Sequence, residues 1–362
     1  MGQASHEPAA QLASTAGSEP VPPILDAVND APAERSRRRA AVVVNPSKVD
    51  IKVLRSAVAA AESTHGLAPS TWHETSADDD GRGASAAAIA SAPSVILVAG
   101  GDGTLRVAAE AIASTGIPLG LVPAGTGNLF ARALGLPLGD LKRSVDIACS
   151  GRDQVVDVGQ VSLGRSDGTN RDEVFLVMAG IGLDAHMAGH TNERLKRRIG
   201  WLAYSDPIAR SIIGNRQFDL HYRLDDRPEA AARAHTIIVG NSGTLTGGVL
   251  LLPEAVVDDG LLDAVMLRPG KGPGWGNIGY RLTFNRMLHR TRFGRLVGRF
   301  SPKARAISYA QARTMHLRLE EPQEIQLDGD SHGSVISVSL TNLHHALIVR
   351  VPSGPAARPG VR

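Results

Sequence analysis

Val95-Ile96-Leu97-Val98-Ala99-Gly100-Gly101-Asp102-Gly103-Thr104-Leu105 begins as an unbroken apolar run and ends in three glycines around an acid. An apolar run of this length is what a strand covered on both faces carries, as in a parallel sheet flanked by helices. The glycines let the chain turn sharply and bring backbone N–H groups within reach of an anion. Leu105 to Ala113 then reads as helix, whose first turn offers free N–H groups and a partial positive charge. Strand, glycine turn and helix together form a phosphate cradle. Asp102 does not bind phosphate itself, since like charges repel, so it suits a magnesium ion bridging phosphate oxygens. The glycines are expected to set the loop conformation without help from Asp102. An ordinary strand-to-helix turn is the alternative, and three glycines around a central acid weigh against it.

Outward from this segment the alternation continues. Ala41-Val42-Val43-Val44 is a short buried strand, Val49 to Glu62 has helical spacing ending near Gly66, and a second strand covers Ser70 to Glu74. Ala84 to Ala90 is helix-forming, Ile117 to Val122 is a strand, and Leu129 to Leu134 begins another helix. Strict alternation predicts an open parallel α/β sheet over residues 40–150. Beyond Gly151 strands follow one another: Gln154 to Leu163, Val174 to Met178, Phe218 to Leu224, Thr236 to Val239, Leu261 to Leu267 and several after Thr314. A helical region from Glu193 to Ile213 interrupts them. This order predicts an antiparallel β-sandwich over residues 151–340, with 341–362 returning to the first domain. Residues 1–39, rich in Ala, Ser, Pro and Gly and closed by an arginine cluster, are expected to be a disordered tail.

Composition bounds the class. At 362 residues the chain exceeds one typical core, which favours two domains. The single cysteine, Cys149, excludes a disulfide framework or a multi-cysteine metal site and suits a reducing compartment, so the cytoplasm is expected. No stretch approaches the roughly 18 consecutive apolar residues that span a bilayer, and the start lacks a charged segment followed by an apolar block. Neither secretion nor membrane integration is expected. Net charge is only +3, yet no acid occurs between Asp263 and Glu320 while twelve Lys or Arg do. A solvated surface is the plain reading of that run.

A second turn, Pro123-Ala124-Gly125-Thr126-Gly127-Asn128, follows the next strand and also opens a helix. Two such turns on neighbouring strands line one crevice at the carboxyl ends of the sheet. Asn45-Pro46-Ser47-Lys48 closes the first strand at the same edge, where Pro46 fixes the turn and Asn45 offers an amide to a phosphate or ribose.

These segments, with Phe130-Ala131-Arg132, resemble the catalytic domain of diacylglycerol kinases and bacterial lipid kinases, to which sphingosine and ceramide kinases are similar. The resemblance continues at Ala179-Gly180-Ile181-Gly182-Leu183-Asp184-Ala185, Gly240-Asn241, Gly247-Gly248 and Asp258-Asp259-Gly260-Leu261-Leu262-Asp263, and spans Ala40 to Pro352. It implies an ATP- and magnesium-dependent kinase acting on a lipid hydroxyl, diacylglycerol first among the candidates. A nucleotide site is implied between the domains, facing Asn45, Pro46, Ser47, Thr75, Gly100, Gly101, Asp102, Gly103, Thr104, Leu105, Arg106, Gly125, Thr126 and Asn128. A structural magnesium is implied at Asp259 with carbonyls of Val256 and Leu261; read alone, Asp258-Asp259-Gly260 is simply a turn. Leu327-Asp328-Gly329-Asp330 resembles the family's Asp-Gly-Glu, whose last acid deprotonates the lipid hydroxyl. Asp330 replaces that Glu with a shorter arm, so Asp328, Asp330 or a water-bridged Asp330 are the candidate bases, and a plain Asp-Gly hairpin turn fits the spacing equally well.

Phosphoryl transfer needs aligned reactants, magnesium and a base, and these motifs contain all three. A bilayer-dissolved substrate also needs a docking surface. Trp275, Tyr280, Phe284, Phe293 and Phe300 interleave with Arg281, Arg286, Arg290, Arg292, Arg295 and Arg299, which suits an anionic membrane and peripheral association with its inner face. No nucleic-acid partner is expected, and a homodimer stays open. His186 and His190 stand four apart without a third ligand, so a metal role is not favoured. The runner-up enzyme is an NAD kinase, which shares the glycine loop; a nucleotide-binding lipid sensor with weak catalysis is the alternative outside enzymes.

Overall fold

The computed structural model describes residues 38–76, 79–182, 217–243, 251–268 and 307–354. In β1 (Arg39–Val44) every residue from Ala40 to Val44 is buried, and all of β3 (Val95–Gly100) is. Alternate side chains serve opposite faces. Val42 and Val44 pack with Leu54 and Val58 of α1 (Ile51–His65), while Ala41 and Val43 pack with Ala108 and Ile112 of α3 (Asp102–Ile112). Helices on both faces explain why these strands are apolar throughout rather than alternating.

The helix ends follow local chemistry. Asp50 caps α1 by accepting from the backbone N–H groups of Lys52 and Val53, and the helix stops at Gly66, left-handed at φ 64°. β2 (Ala68–Glu74), α2 (Arg82–Ala90), β4 (Leu119–Pro123) and α4 (Leu129–Ala133) complete the alternation. A further helix, α5 (Leu141–Ser150), lies outside the expected elements although Asp140 caps it by accepting from Arg143 N–H.

The four strands are parallel in the order β4-β3-β1-β2. From β1 the chain moves to one side, and from β3 to the other. The connections therefore diverge between β1 and β3, the place where open α/β sheets form a binding crevice at their carboxyl ends.

The second half is antiparallel and β-rich: β5 (Arg152–Gly164), β6 (Asn170–Phe175), β7 (Met178–Ile181), β8 (Phe218–Leu224), β9 (Ala230–Ala234), β10 (Thr236–Gly240), β11 (Leu262–Leu267), β12 (Ile307–Ala312), β13 (Thr314–Leu327) and β14 (Asp330–Val351). Its core gathers Phe175, Ile181, Leu220, Ile237, Leu262, Leu317 and Leu340. The expected two-domain α/β and β-sandwich class is what the chain adopts. β14 pairs antiparallel with β13 and β5, and its Val349 pairs parallel with Leu119 of β4, so one strand runs from the sandwich into the first sheet.

One local expectation is corrected. The strand read from Val174 to Met178 is two strands, because Asp328 draws in the N–H groups of Leu176, Val177 and Met178 where sheet partners would otherwise be. The alanine-rich β9 pairs with β8 despite a helix-favouring composition, an instance of tertiary context overriding propensity. Arg39, read as the tail's last residue, opens β1, while residues 1–37 of the tail, the helical reading at Glu193 to Ile213, the segment Leu183-Asp184-Ala185, Gly247-Gly248, His186 and His190 all lie outside the described residues. So does most of the acid-free stretch, including its five named aromatics and six named arginines. No helix among the described residues is long and apolar enough to cross a membrane.

Candidate active site

The carboxyl ends of β1, β3 and β4 bring three turns together. Asn45 follows β1, and its N–H donates to Ala99 O at 2.9 Å. Its side chain is engaged on both ends: Nδ2 donates to Thr104 Oγ1 at 3.4 Å, and Oδ1 accepts from Ser47 N–H at 3.0 Å and Ser47 Oγ at 2.7 Å. Pro46 and Ser47 are exposed at the rim. The two glycine turns touch backbone to backbone, since a Cβ on Gly125 would stand 2.8 Å from Gly101 Cα. Gly100 is as tightly held, with a hypothetical Cβ 2.9 Å from Thr104 Cβ. Gly125 permits the close approach of the two main chains, and Gly100 leaves room for the Thr104 side chain. Gly100, Gly101, Asp102, Pro123, Asn128 and Ala131 line the resulting cleft.

Asp102, in the first turn of α3, reaches across to the second turn. Its Oδ2 accepts from Asn128 N–H at 2.8 Å and its Oδ1 from Leu129 N–H at 2.6 Å. It therefore supplies the side-chain cap that α4 lacks from its own left-handed N-cap, Asn128. Asn128 folds back, donating from Nδ2 to Gly125 O and accepting at Oδ1 from Gly125 N–H. The expectation that glycines alone shape the loop is corrected: the acid bolts one turn to the other. Burial raises the Asp102 pKa against the pull of those two N–H groups, and the charge of Asp330 adds to the rise.

Thr75 lies at the end of β2 with its N–H on Val44 O at 2.9 Å, at the same sheet edge, and Thr126 is exposed at the tip of its turn. Leu105 lines the floor of the cleft, whereas Arg106 turns away from it. Leu105 belongs to the core beneath, and Arg106, only 7 % exposed, donates from Nη1 to Glu173 Oε2 at 2.8 Å. The expected place of Arg106 facing the nucleotide is corrected, because a helix beginning at Asp102 rotates its fifth residue inward.

The two candidate bases part company in the hairpin between β13 and β14. Asp328 (φ 50°) and Gly329 (φ 96°) form its two-residue turn, with Leu327 paired to Asp330. Asp328 is buried, and its carboxylate accepts from Leu176, Val177 and Met178 N–H at 2.8, 2.8 and 3.0 Å. It is a structural clamp turned from the cleft, which corrects its candidacy as base. Asp330 is exposed, and a Cβ on Gly103 would meet its Oδ2 at 3.0 Å. Of the two acids, Asp330 is the one the fold presents to the phosphate loop.

The Asp258–Leu261 turn carries a residue that sequence reading passed over. Asp157 on β5 is wholly buried and accepts from Gly260 N–H, His345 N–H and Asn342 Nδ2, with His344 Nδ1 at 2.9 Å from its Oδ1. It fills the bulge between β14 and β5 at Leu343 to Leu347, where His345 is left-handed at φ 55°. Asp259 is exposed, with Oδ1 accepting from Leu261 N–H at 3.0 Å, and Leu261 O accepts from Asn342 Nδ2 at 3.0 Å. Val256 is exposed. Asp263 nearby is pushed up to about 6 by burial and then by the charges of Asp259 and Glu254.

The diacylglycerol kinase catalytic domain matches residues 39–161, and the YegS C-terminal NAD kinase beta sandwich-like domain matches residues 177–349. The chain belongs to this family of diacylglycerol and YegS-like lipid kinases, as the motif resemblance implied. It is similar to a diacylglycerol kinase of Mycobacterium tuberculosis, 33% identical over 187 residues that cover 52% of this chain and 59% of that protein. A protein of Pseudomonas putida named "Probable lipid kinase YegS-like" is 33% identical over 191 residues, covering 50% and 58%. These matches span under three fifths of either relative. A diacylglycerol kinase of Bacillus subtilis is 25% identical over 324 residues, covering 88% of this chain and 98% of that one. Among solved structures, a diacylglycerol kinase from Bacillus anthracis shares the fold with a TM-score of 0.63 at 21% identity, covering 88% of this chain and 98% of that one.

Proposed function

We propose that this chain is an ATP- and magnesium-dependent lipid kinase that phosphorylates a lipid hydroxyl, with diacylglycerol as the first acceptor to test. The observation that carries the reading is Asp330, an exposed carboxylate of the β-rich domain set against Gly103 in the first turn of the phosphate-loop helix. An acid there can take the hydroxyl proton while the loop N–H groups and the start of α3 hold the phosphates. The relatives named diacylglycerol kinase favour this acceptor over NAD.

The acids fit magnesium on their own chemistry. The charge of Asp330 raises the cost of ionising Asp102 at the cleft mouth, which a divalent cation relieves. When bound, it would neutralise charge developing on the phosphate oxygens. A second ion belongs to the same reading at Asp259 and the carbonyls of Val256 and Leu261, an all-oxygen set beside the mutually repelling Glu254 and Asp263. The lipid would be met at an anionic membrane surface by the arginine- and aromatic-rich stretch after Asp263.

The test is transfer of labelled phosphate from ATP to vesicles of diacylglycerol, a sphingoid base or a polyprenol, with NAD as a soluble comparison. Phosphorylation of one lipid is expected. Asp330→Asn should lower kcat with little change in KM for ATP, because the group acts in the transition state. Turnover of NAD and of no lipid would overturn the reading.

A further inference from the structure

Glu173 is buried on β6, although Asn170, Arg171 and Asp172 before it are exposed. A buried carboxylate needs partners, and here they come from several elements. Arg106 of α3 donates to Oε2 at 2.8 Å, Arg82 of α2 stands 3.7 Å from the same oxygen, Arg171 pairs with Oε1, and His332 Nδ1 of β14 lies 4.0 Å from it. Arg82 also pairs with Glu110 of α3 at 2.8 Å. The central acid thus ties the phosphate-loop helix to the sandwich.

Periodicity places this knot beside the cleft. Gly103 and Arg106 stand three apart on α3 and share one face, while Asp330 and His332 stand two apart on β14 and share one face. Gly103 meets Asp330, and one step further along each element Arg106 and His332 meet through Glu173.

We propose that Arg106 and Glu173 are positioning residues whose buried ion pair sets the distance between the phosphate loop and Asp330. The proposal rests on the kinase reading for its catalytic consequence and on geometry alone for its structural one. Removing one partner strands a buried charge, whereas replacing both with apolar residues preserves packing. The informative variant is therefore Arg106→Met with Glu173→Met. It should melt cooperatively, show kcat lowered about tenfold or more from misplacement of the base, and keep KM for ATP within about twofold. Arg106→Lys, which keeps the charge but loses the planar fork, should retain more kcat than Arg106→Met.

Amide hydrogen exchange supplies a readout that needs no turnover. In the double variant, exchange at residues 102–106 and 328–333 should quicken together by about tenfold, since both segments lose the tie between them. Should the double variant not fold, Glu173→Gln keeps the shape, removes the charge and is expected to shift the same two segments in the same direction. Parental exchange at both segments in a folded variant overturns the proposal whatever its activity. If the parent protein phosphorylates no lipid, the kinase reading falls, and the exchange measurement still decides whether the pair holds the domains.

Discussion

Asp330 lies so close to Gly103 that a methyl group on that glycine would stand 3.0 Å from Oδ2, tighter than ordinary van der Waals contact. The two residues belong to different domains and meet where phosphate and hydroxyl would be brought together. Gly103→Ala should therefore separate stability from activity. Alanine favours a helix by about 1 kcal/mol over glycine, and a carboxylate end moves readily, so the melting temperature should hold or rise. The base would be displaced by tenths of an ångström, and because about 1 Å can cost roughly a hundredfold, kcat should fall about tenfold. An alanine variant as active as the parent would mean that Asp330 does not act from this position.

The features that could be read ahead of the structure are those with a short-range cause. Val95 to Ala99 announces a strand covered on both faces because burial on each side forbids polar residues, and the glycine turn announces close backbone approach. Long-range partners left no such mark. Arg106 sits inside the loop motif and looks like a nucleotide contact, yet its partner Glu173 is 67 residues away. Asp157 looks like one acid of an ordinary strand, while the groups it anchors, Gly260 and His345, lie 103 and 188 residues further on. Asp328 and Asp330 were indistinguishable by spacing. Only the hairpin, which sends one carboxylate into the chain crossing at Leu176 to Met178 and the other to the cleft, separates them.

Asp102→Ala should be both inactive and less stable. The substitution removes the acceptor for Asn128 and Leu129 N–H, and loss of a helix cap costs about 0.5–2 kcal/mol. Asp102→Asn keeps one acceptor oxygen and should recover part of the stability without the activity. An alanine variant that melts with the parent would show that the glycines shape the second turn alone.

Magnesium should raise the melting temperature through the Asp259 turn. A ligand present at about 100 times its dissociation constant stabilises by about 2.7 kcal/mol, and Asp259→Ala should remove that increment at the turn while the cleft acids remain. Running the titration on Asp330→Asn keeps the cleft contribution apart. An Asp259→Ala protein that gains as much from magnesium as the parent would place the ion elsewhere.

Asp328 gives a pH dependence with a defined sign. Burial, opposed by the three N–H groups and by Arg106, pushes its carboxyl from an ordinary 3.8 up to about 6. A folded-state pKa above the unfolded one means that the native protein binds the extra proton between those values. The contribution to stability is then fully present below about 4 and is lost as pH rises through about 6. Asp328→Asn cannot titrate, and its amide turns a donor toward backbone N–H groups, so it should be less stable by about 1–3 kcal/mol. The melting-temperature gap between parent and variant should be widest near pH 4, narrow through about pH 6 and stay level above it. A gap that is constant or widens with pH would show that Asp328 folds as the carboxylate, held by Leu176, Val177 and Met178 strongly enough to outweigh its burial.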